Sequence, residues 1–148
     1  MPEISAEFTF AQLAVLFPDV RCAPAGARAL GTHRARGGYS KERGFASQHA
    51  SVTVEIQPAV EFSVAFRNTW PPHMPLHEGA PLVQAILRGV FDAAARHDPA
   101  AIGCRVTIVE AGPLESATAV GLGIAAAVAF DDAAEHLKWD PPLDPQAA

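Results

Sequence analysis

This sequence has little cysteine, little charge and no long apolar run. Its two cysteines, Cys22 and Cys104, stand far apart in 148 residues. They have no metal-site spacing and no secretory signal before them, so the expectation is a reduced, cytoplasmic protein. The most apolar stretch, AVGLGIAAAVAF, is well short of the roughly 18 residues a membrane-spanning helix needs, which predicts a soluble chain. No Gly-rich loop ending in Lys-Ser or Lys-Thr occurs, which excludes a P-loop nucleotide site. Charged residues make up 18% of the chain, with a formal net charge of -5 and a pI near 5.6. Most dedicated RNA-binding domains are basic, so bulk electrostatics do not favour that class. What the sequence does have is 49% hydrophobic residues, enough for one sizeable core and too short a chain for two ordinary domains. The 13 prolines and 11 glycines fall largely between periodic segments, where they act as punctuation.

Two segments alternate with period two. In ASVTVEIQP, Val52, Val54 and Ile56 share one face, with Thr53, Glu55 and Gln57 on the other. In VEFSVAFR, Phe62, Val64 and Phe66 repeat the pattern, and the short link at Pro58-Ala59 predicts two neighbouring antiparallel strands. After a Pro-rich linker the period becomes helical, with Leu82, Val83, Ile86, Leu87, Val90, Phe91 and Ala94 in one stripe. Pro81 suits the first turn, and Arg96 and His97 suit the negative end of the helix dipole. CRVTIVE reads as a third strand ended by Gly112-Pro113. Ser116 or Thr118 can cap a second helix running to about Leu137, before WDPPLDP forbids continuation. Gly121 and Gly123 in that helix lower its propensity but let its backbone lie close to a neighbour.

Strand, strand, helix, strand, helix predicts an α+β fold with both helices on one sheet face. Val52, Val54, Ile56, Phe62, Val64 and Phe66 should then meet Leu82, Val83, Ile86 and Val90. Residues 1–32 are less patterned. FTFAQLAVLFPDV is a helix with Phe10, Leu13, Leu16 and Phe17 inward, or a mixed segment with an extra strand. The expected layout is residues 1–32 packed on the domain, a domain over 33–138, and a Pro-rich, partly disordered tail over 139–148.

The charge is unevenly spread. HRARGGYSKERGFASQHA, residues 33–50, places Arg34, Arg36, Lys41 and Arg43 within ten positions, four of the protein's 11 basic residues. With Gly37-Gly38, Tyr39 and Phe45 beside them, they offer phosphate contacts and stacking groups on a loop, as RNA binding requires. The alternative is a solvated hairpin loop.

Other residues with chemical potential point to structure instead. His73 and His77 are spaced i, i+4, but Pro75 between them breaks the helix that would aim both at a metal. Cys104, at a strand start, reads as a buried small hydrophobe. Glu110 and Glu115 flank a turn as two exposed carboxylates, and Asp131, Asp132 and Glu135 read as a solvated helix face. Trp70, before Pro71-Pro72, reads as a structural plug.

The run QHASVTVEIQP resembles the strand opening domain IV of translation elongation factor G, where a Gln-Tyr-Gly-His element leads into an alternating strand ending in proline. Gln48 and Pro58 occupy the corresponding places. The likeness continues through Glu61-Phe62, EGAPLVQAILRGVFDAA, VTIVE and AAAVAF, over roughly residues 43 to 137. The resemblance implies a β-α-β crossover of the rare left-handed kind, and a tip that meets RNA, with the basic stretch near it. It makes Arg34, Arg36, Tyr39, Lys41, Arg43 and Gln48 the candidate RNA-binding residues, with no catalytic residue, cofactor or metal. The chain departs from the family at its second tip loop, where AGPLESATAV lacks the histidine, tyrosine and aspartate of the family's Gly-Ser-Tyr-His-x-Val-Asp-Ser-Ser-like element. It also has no GTPase domain, so it is not a translocase by itself. The expected function is a stand-alone, non-catalytic RNA- or ribosome-associated module. The alternative is a homodimer module covering the face of Thr53, Glu55, Gln57, Ser63 and Ala65, and a third reading, by fold analogy, is an enzyme acting on a phosphorylated small molecule.

Overall fold

A computed structural model describes residues 4–22, 26–43, 46–67, 80–112 and 118–143, with side chains described for all of these but 4–5, 41–43 and 46–48. The elements run β1 (Ile4–Thr9), α1 (Phe10–Leu16), β2 (Gly26–Ala29), β3 (His33–Arg43), β4 (Ala46–Pro58), β5 (Ser63–Arg67), α2 (Pro81–Arg96), β6 (Ala100–Gly112), α3 (Ala119–Glu135) and β7 (Trp139–Asp140). The fold is α+β, with a mixed sheet organised on β6. That strand has β4 antiparallel on one flank, from Cys104 to Gly112, and β5 parallel to it, from Arg105 to Ile108. Outward from these, β3 pairs with β4 and β1 with β5, both antiparallel. The first residues of β6 pair with β2, which β7 joins on its other side.

The alternations do form strands, but β4 and β5 are not neighbours, because β6 lies between them. The connection runs over residues 59–62, longer than a two-residue hairpin loop, and so can step over one strand spacing of about 4.8 Å to the next position but one. Ala59 N–H donates to Gly103 O at 3.4 Å on the way, and Phe62 is buried beneath the link. The β5–α2–β6 segment is thus a β-α-β unit between adjacent parallel strands.

The expected core is present. Val52, Val54, Ile56, Phe62, Val64 and Phe66 are buried together with Val83, Ile86 and Val90, while Leu82 is only partly buried at the edge. A bulge between Thr53 and Val54, opposite Val109, shifts the parity of β6 so that both Ile108 and Ala111 reach the core. Thr118 caps α3, its side chain accepting from Gly121 N–H at 3.0 Å. Ser116, the other expected cap, lies outside the described residues.

Helices α2 and α3 share the core face, and small residues set their distance from it. A Cβ placed on Gly37 of β3 would sit 2.3 Å from Ala125 O and 2.4 Å from Ala129 N, so the strand backbone rests directly on α3. Between the helices, a Cβ on Gly89 would sit 2.3 Å from Gly123 O. The packing role expected of Gly121 and Gly123 is met, since Gly121 faces Tyr39 and Ala50, and Gly123 faces Ala85.

The N-terminal segment is a mixed one. β1 extends the sheet, Thr9 and Gln12 form a capping box, and Leu13 and Phe17 are buried with Phe10 and Leu16 partly so. The Arg88 guanidinium on α2 stacks over Phe17 and pairs with Asp19, holding that carboxyl below its ordinary range. At the other end, Trp139 is buried and donates from Nε1 to Ala134 O at 3.0 Å, so the start of the tail packs on the domain.

Gly37→Ala and Gly89→Ala should each cost about 1–3 kcal/mol or more through overpacking against backbone. Gly38→Ala places its Cβ 3.8 Å from Ala50 O and should change stability by about 0.5 kcal/mol or less. Denaturant midpoints that failed to separate Gly37 from Gly38 would contradict this packing.

Candidate functional site

The basic stretch is not a loop. Residues 33–43 are strand β3, paired residue by residue with β4 from His33–Ile56 to Arg43–Ala46. Its glycines invite a loop reading, but Gly37 is demanded by α3, a contact the local sequence does not reveal. Being a strand, β3 divides its side chains between two faces.

Arg34, Arg36 and Ser40 point to the open face of the sheet, away from the helices, opposite Glu55, Thr53 and His49. Arg34 donates from Nε and Nη2 to Glu55 Oε2 at 3.2 and 3.0 Å. Arg36 donates to Ser51 Oγ at 3.2 Å, and Ser51 in turn donates to Gly112 O at 3.4 Å. Among the described residues Arg36 has no carboxylate within ion-pair distance, so its charge stays uncompensated and most of its five donors are available. Ser40 Oγ lies 3.1 Å from His49 Nδ1. An open groove of about 520 Å³ runs along the hairpin, lined by residues 36–40 and 49–51, with Tyr39 among them.

The pleat nevertheless separates the Tyr39 side chain from Arg34 and Arg36. It faces the helix side, is partly buried against the core, and packs on Gly121 at the start of α3, so it is not a stacking platform beside Arg34 and Arg36. Lys41 and Arg43 sit in β3 opposite Gln48 and Ala46, towards the hairpin end. The side chains of Lys41, Arg43 and Gln48 lie outside the described residues.

Sequence reasoning put Thr53, Glu55, Gln57, Ser63 and Ala65 on one face but missed Glu7, Arg105 and Thr107 beside them. Registers align Arg34, Glu55, Thr107, Ala65 and Glu7 in one row across five strands, with Gln57, Arg105, Ser63 and Thr9 in the next. Glu7 accepts from Ser63 Oγ at 2.9 Å and lies 3.2 Å from Arg105 Nε. Ala65, expected on the face that a second copy would cover, is fully buried within this row. The missed signal was the polar half of each alternation, which assigns Arg105 and Thr107 to the face of Glu55 once the strands are aligned.

The remaining candidates are structural. Cys104 is fully buried, which pushes its thiol far above the ordinary value, and partial burial raises Cys22 too. Asp131 is not a bare solvated acid, since it lies 3.1 Å from His97 Nε2 and 3.5 Å from Arg96 Nη2. Glu110 is exposed. His73, His77, Trp70, Glu115 and half of the altered tip loop, residues 113–117, fall outside the described residues. No three potential metal ligands cluster among the described residues, and no described helix is long and apolar enough to cross a membrane.

Compared with protein-family models and with curated proteins, the sequence matches none. Among solved structures it is similar to a crystal structure of a protein from Thermus thermophilus, with a TM-score of 0.61 and 22% identity. The similarity covers 81% of this chain and 18% of that one, so the chain spans less than a fifth of that protein's length. The likeness is one of fold.

Thiol chemistry tests the burial assignments. In the native protein a small thiol reagent should modify Cys22 slowly, faster as pH rises toward the ordinary thiol pKa of 9.0, and leave Cys104 untouched until unfolding. Modification of both cysteines at equal rates would contradict the burial of Cys104.

Proposed function

We propose that this chain is a cytoplasmic, non-catalytic RNA- or ribosome-associated module resembling domain IV of elongation factor G, with its β5–α2–β6 crossover of the left-handed kind. The observation that carries the reading is the β3–β4 hairpin. It holds Arg36 on an open sheet face without a carboxylate partner among the described residues, with Arg34 two positions before it and Lys41 and Arg43 further along the same strand. Arginines spaced by two along a strand lie about 7 Å apart, which suits successive phosphates of a nucleic-acid backbone. A fold that also forms a minor part of a much longer chain suits a module. The homodimer alternative fits less well. It would bury Arg34, Glu55 and Arg105, and desolvating such charges offsets much of what their pairing gains.

Salt dependence tests the proposal. Affinity for ribosomal or transfer RNA should fall with salt at a logarithmic slope of roughly -3 if four cations each neutralise one phosphate of a single strand. Replacing Arg34, Arg36, Lys41 and Arg43 together with Gln should nearly abolish binding while the fold persists. Gln is the better probe because Glu at position 34 would face Glu55 and add like-charge repulsion. RNA binding that survives in the folded quadruple variant, or a parent that binds no RNA, would refute the reading.

A further inference from the structure

Beside the hairpin, the open face holds a second cationic cluster whose arginines come from three strands. Arg34 of β3, Arg67 at the end of β5 and Arg105 of β6 surround a hollow of about 150 Å³, completed by Glu55, Gln57, Thr107 and Val109. Its guanidiniums are not fully matched. Arg67 Nε and Arg105 Nε are buried without a hydrogen-bond partner among the described residues. Arg105 Nε does lie 3.2 Å from Glu7 Oε2, but its N–H is not aimed at that oxygen, so the pair is a charge contact and leaves the donor unsatisfied. A buried donor left unmade is costly, and both of these belong to arginines that line the hollow.

Charge and size describe that acceptor. Three guanidiniums face two carboxylates, Glu55 bonded to Arg34 and Glu7 beside Arg105, leaving one net positive charge with Arg36 next along the strand. The forked, planar guanidinium matches a tetrahedral oxyanion better than a point-charge ammonium would. The hollow is smaller than the roughly 300–1,000 Å³ of sites that enclose a whole small-molecule ligand, so it suits one ionic group rather than a nucleoside. We propose that the hollow between Arg34, Arg67 and Arg105 is a binding site for a single phosphate group. The site goes beyond the RNA reading and stands without it, because Arg67 and Arg105 lie outside the hairpin. The group could come from a nucleic-acid backbone or from free phosphate.

The test follows the arginine Nε–H resonances in nitrogen–proton correlation spectra while inorganic phosphate is added. Saturable shifts are expected for Arg67 and Arg105, weakened about tenfold in Arg105→Gln, the scale set by one charge-assisted hydrogen bond. Glu55→Gln, which removes a competing carboxylate, should tighten binding, so the site can be judged even if Arg105→Gln fails to fold. RNA is then added to the parent. If it moves the same resonances and phosphate displaces it, the group is a backbone phosphate. If phosphate moves them and RNA does not, the site takes free phosphate, and the inference holds although the RNA reading fails. Absence of saturable phosphate shifts at Arg67 and Arg105 in both the parent and Glu55→Gln overturns it.

Discussion

At Gly37 the sheet and α3 meet backbone to backbone, and much of the molecule follows from that approach. A helix can come this close only if its facing side chains are small, and α3 buries Ala125, Ala126, Ala129 and Ala133, with Ala125 and Ala129 against Gly37. With α3 pressed on β3 and β4, α2 fits beside it only by the same device, Gly89 against Gly123. Larger residues then fill the remaining space, with Phe62, Phe66, Phe91 and Phe130 fully buried. Both long helices are committed to one side of the sheet, and no described helix covers the other side. The open polar face is thus the reverse of a tightly packed layer.

That reverse face reads by cross-strand neighbours rather than by sequence order. Arg34 meets Glu55 from 21 positions away, and Ser63 meets Glu7 from 56. Strand pairing fixes which charges are compensated. Glu55 answers Arg34, while Arg36, one pleat further, meets Thr53 across the ladder and, among the described residues, donates to the Ser51 hydroxyl. Exposed pairs of this kind contribute about 1 kcal/mol or less to stability, so their arrangement bears more on what the face can bind than on whether the chain folds.

How much was legible depended on how local each cause was. The alternation of β4 and the helical stripe of α2 are local patterns facing one core, and they read correctly along with the α+β class and most of the core. Strand adjacency is not local. The link at residues 59–62 shows that the chain turns but not that β6 enters between β4 and β5. The β3 strand was hidden because Gly37-Gly38 among arginines carries every local mark of a loop, while the reason for Gly37 is α3, far along the chain. Tyr39 was grouped with the arginines because they are near in sequence, although the pleat sends it to the other face. Arg67 and Arg105 were passed over for the converse reason, since each is alone in its own segment and only the sheet gathers them.

Net charge describes the whole chain, not any one of its faces, for the same reason. A chain of -5 is an unpromising nucleic-acid binder if its charge is taken as uniform, but a ligand feels the local field. Here Asp92, Asp131, Asp132 and Glu135 lie on α2 and α3, across the sheet from the open face, and Asp131 is already occupied with Arg96 and His97. With a Debye length of about 8 Å at physiological ionic strength, charges on the far side of the helix layer are largely screened from the open face. Arg34, Arg36, Arg67 and Arg105 therefore act against their own neighbours, Glu7, Glu55 and Glu110, rather than against the whole protein. That balance is locally positive by one charge, and within the hollow it is concentrated on donors that have no acceptor among the described residues. An acidic chain can carry an anion-binding surface when its fold leaves the local balance on one sheet face positive.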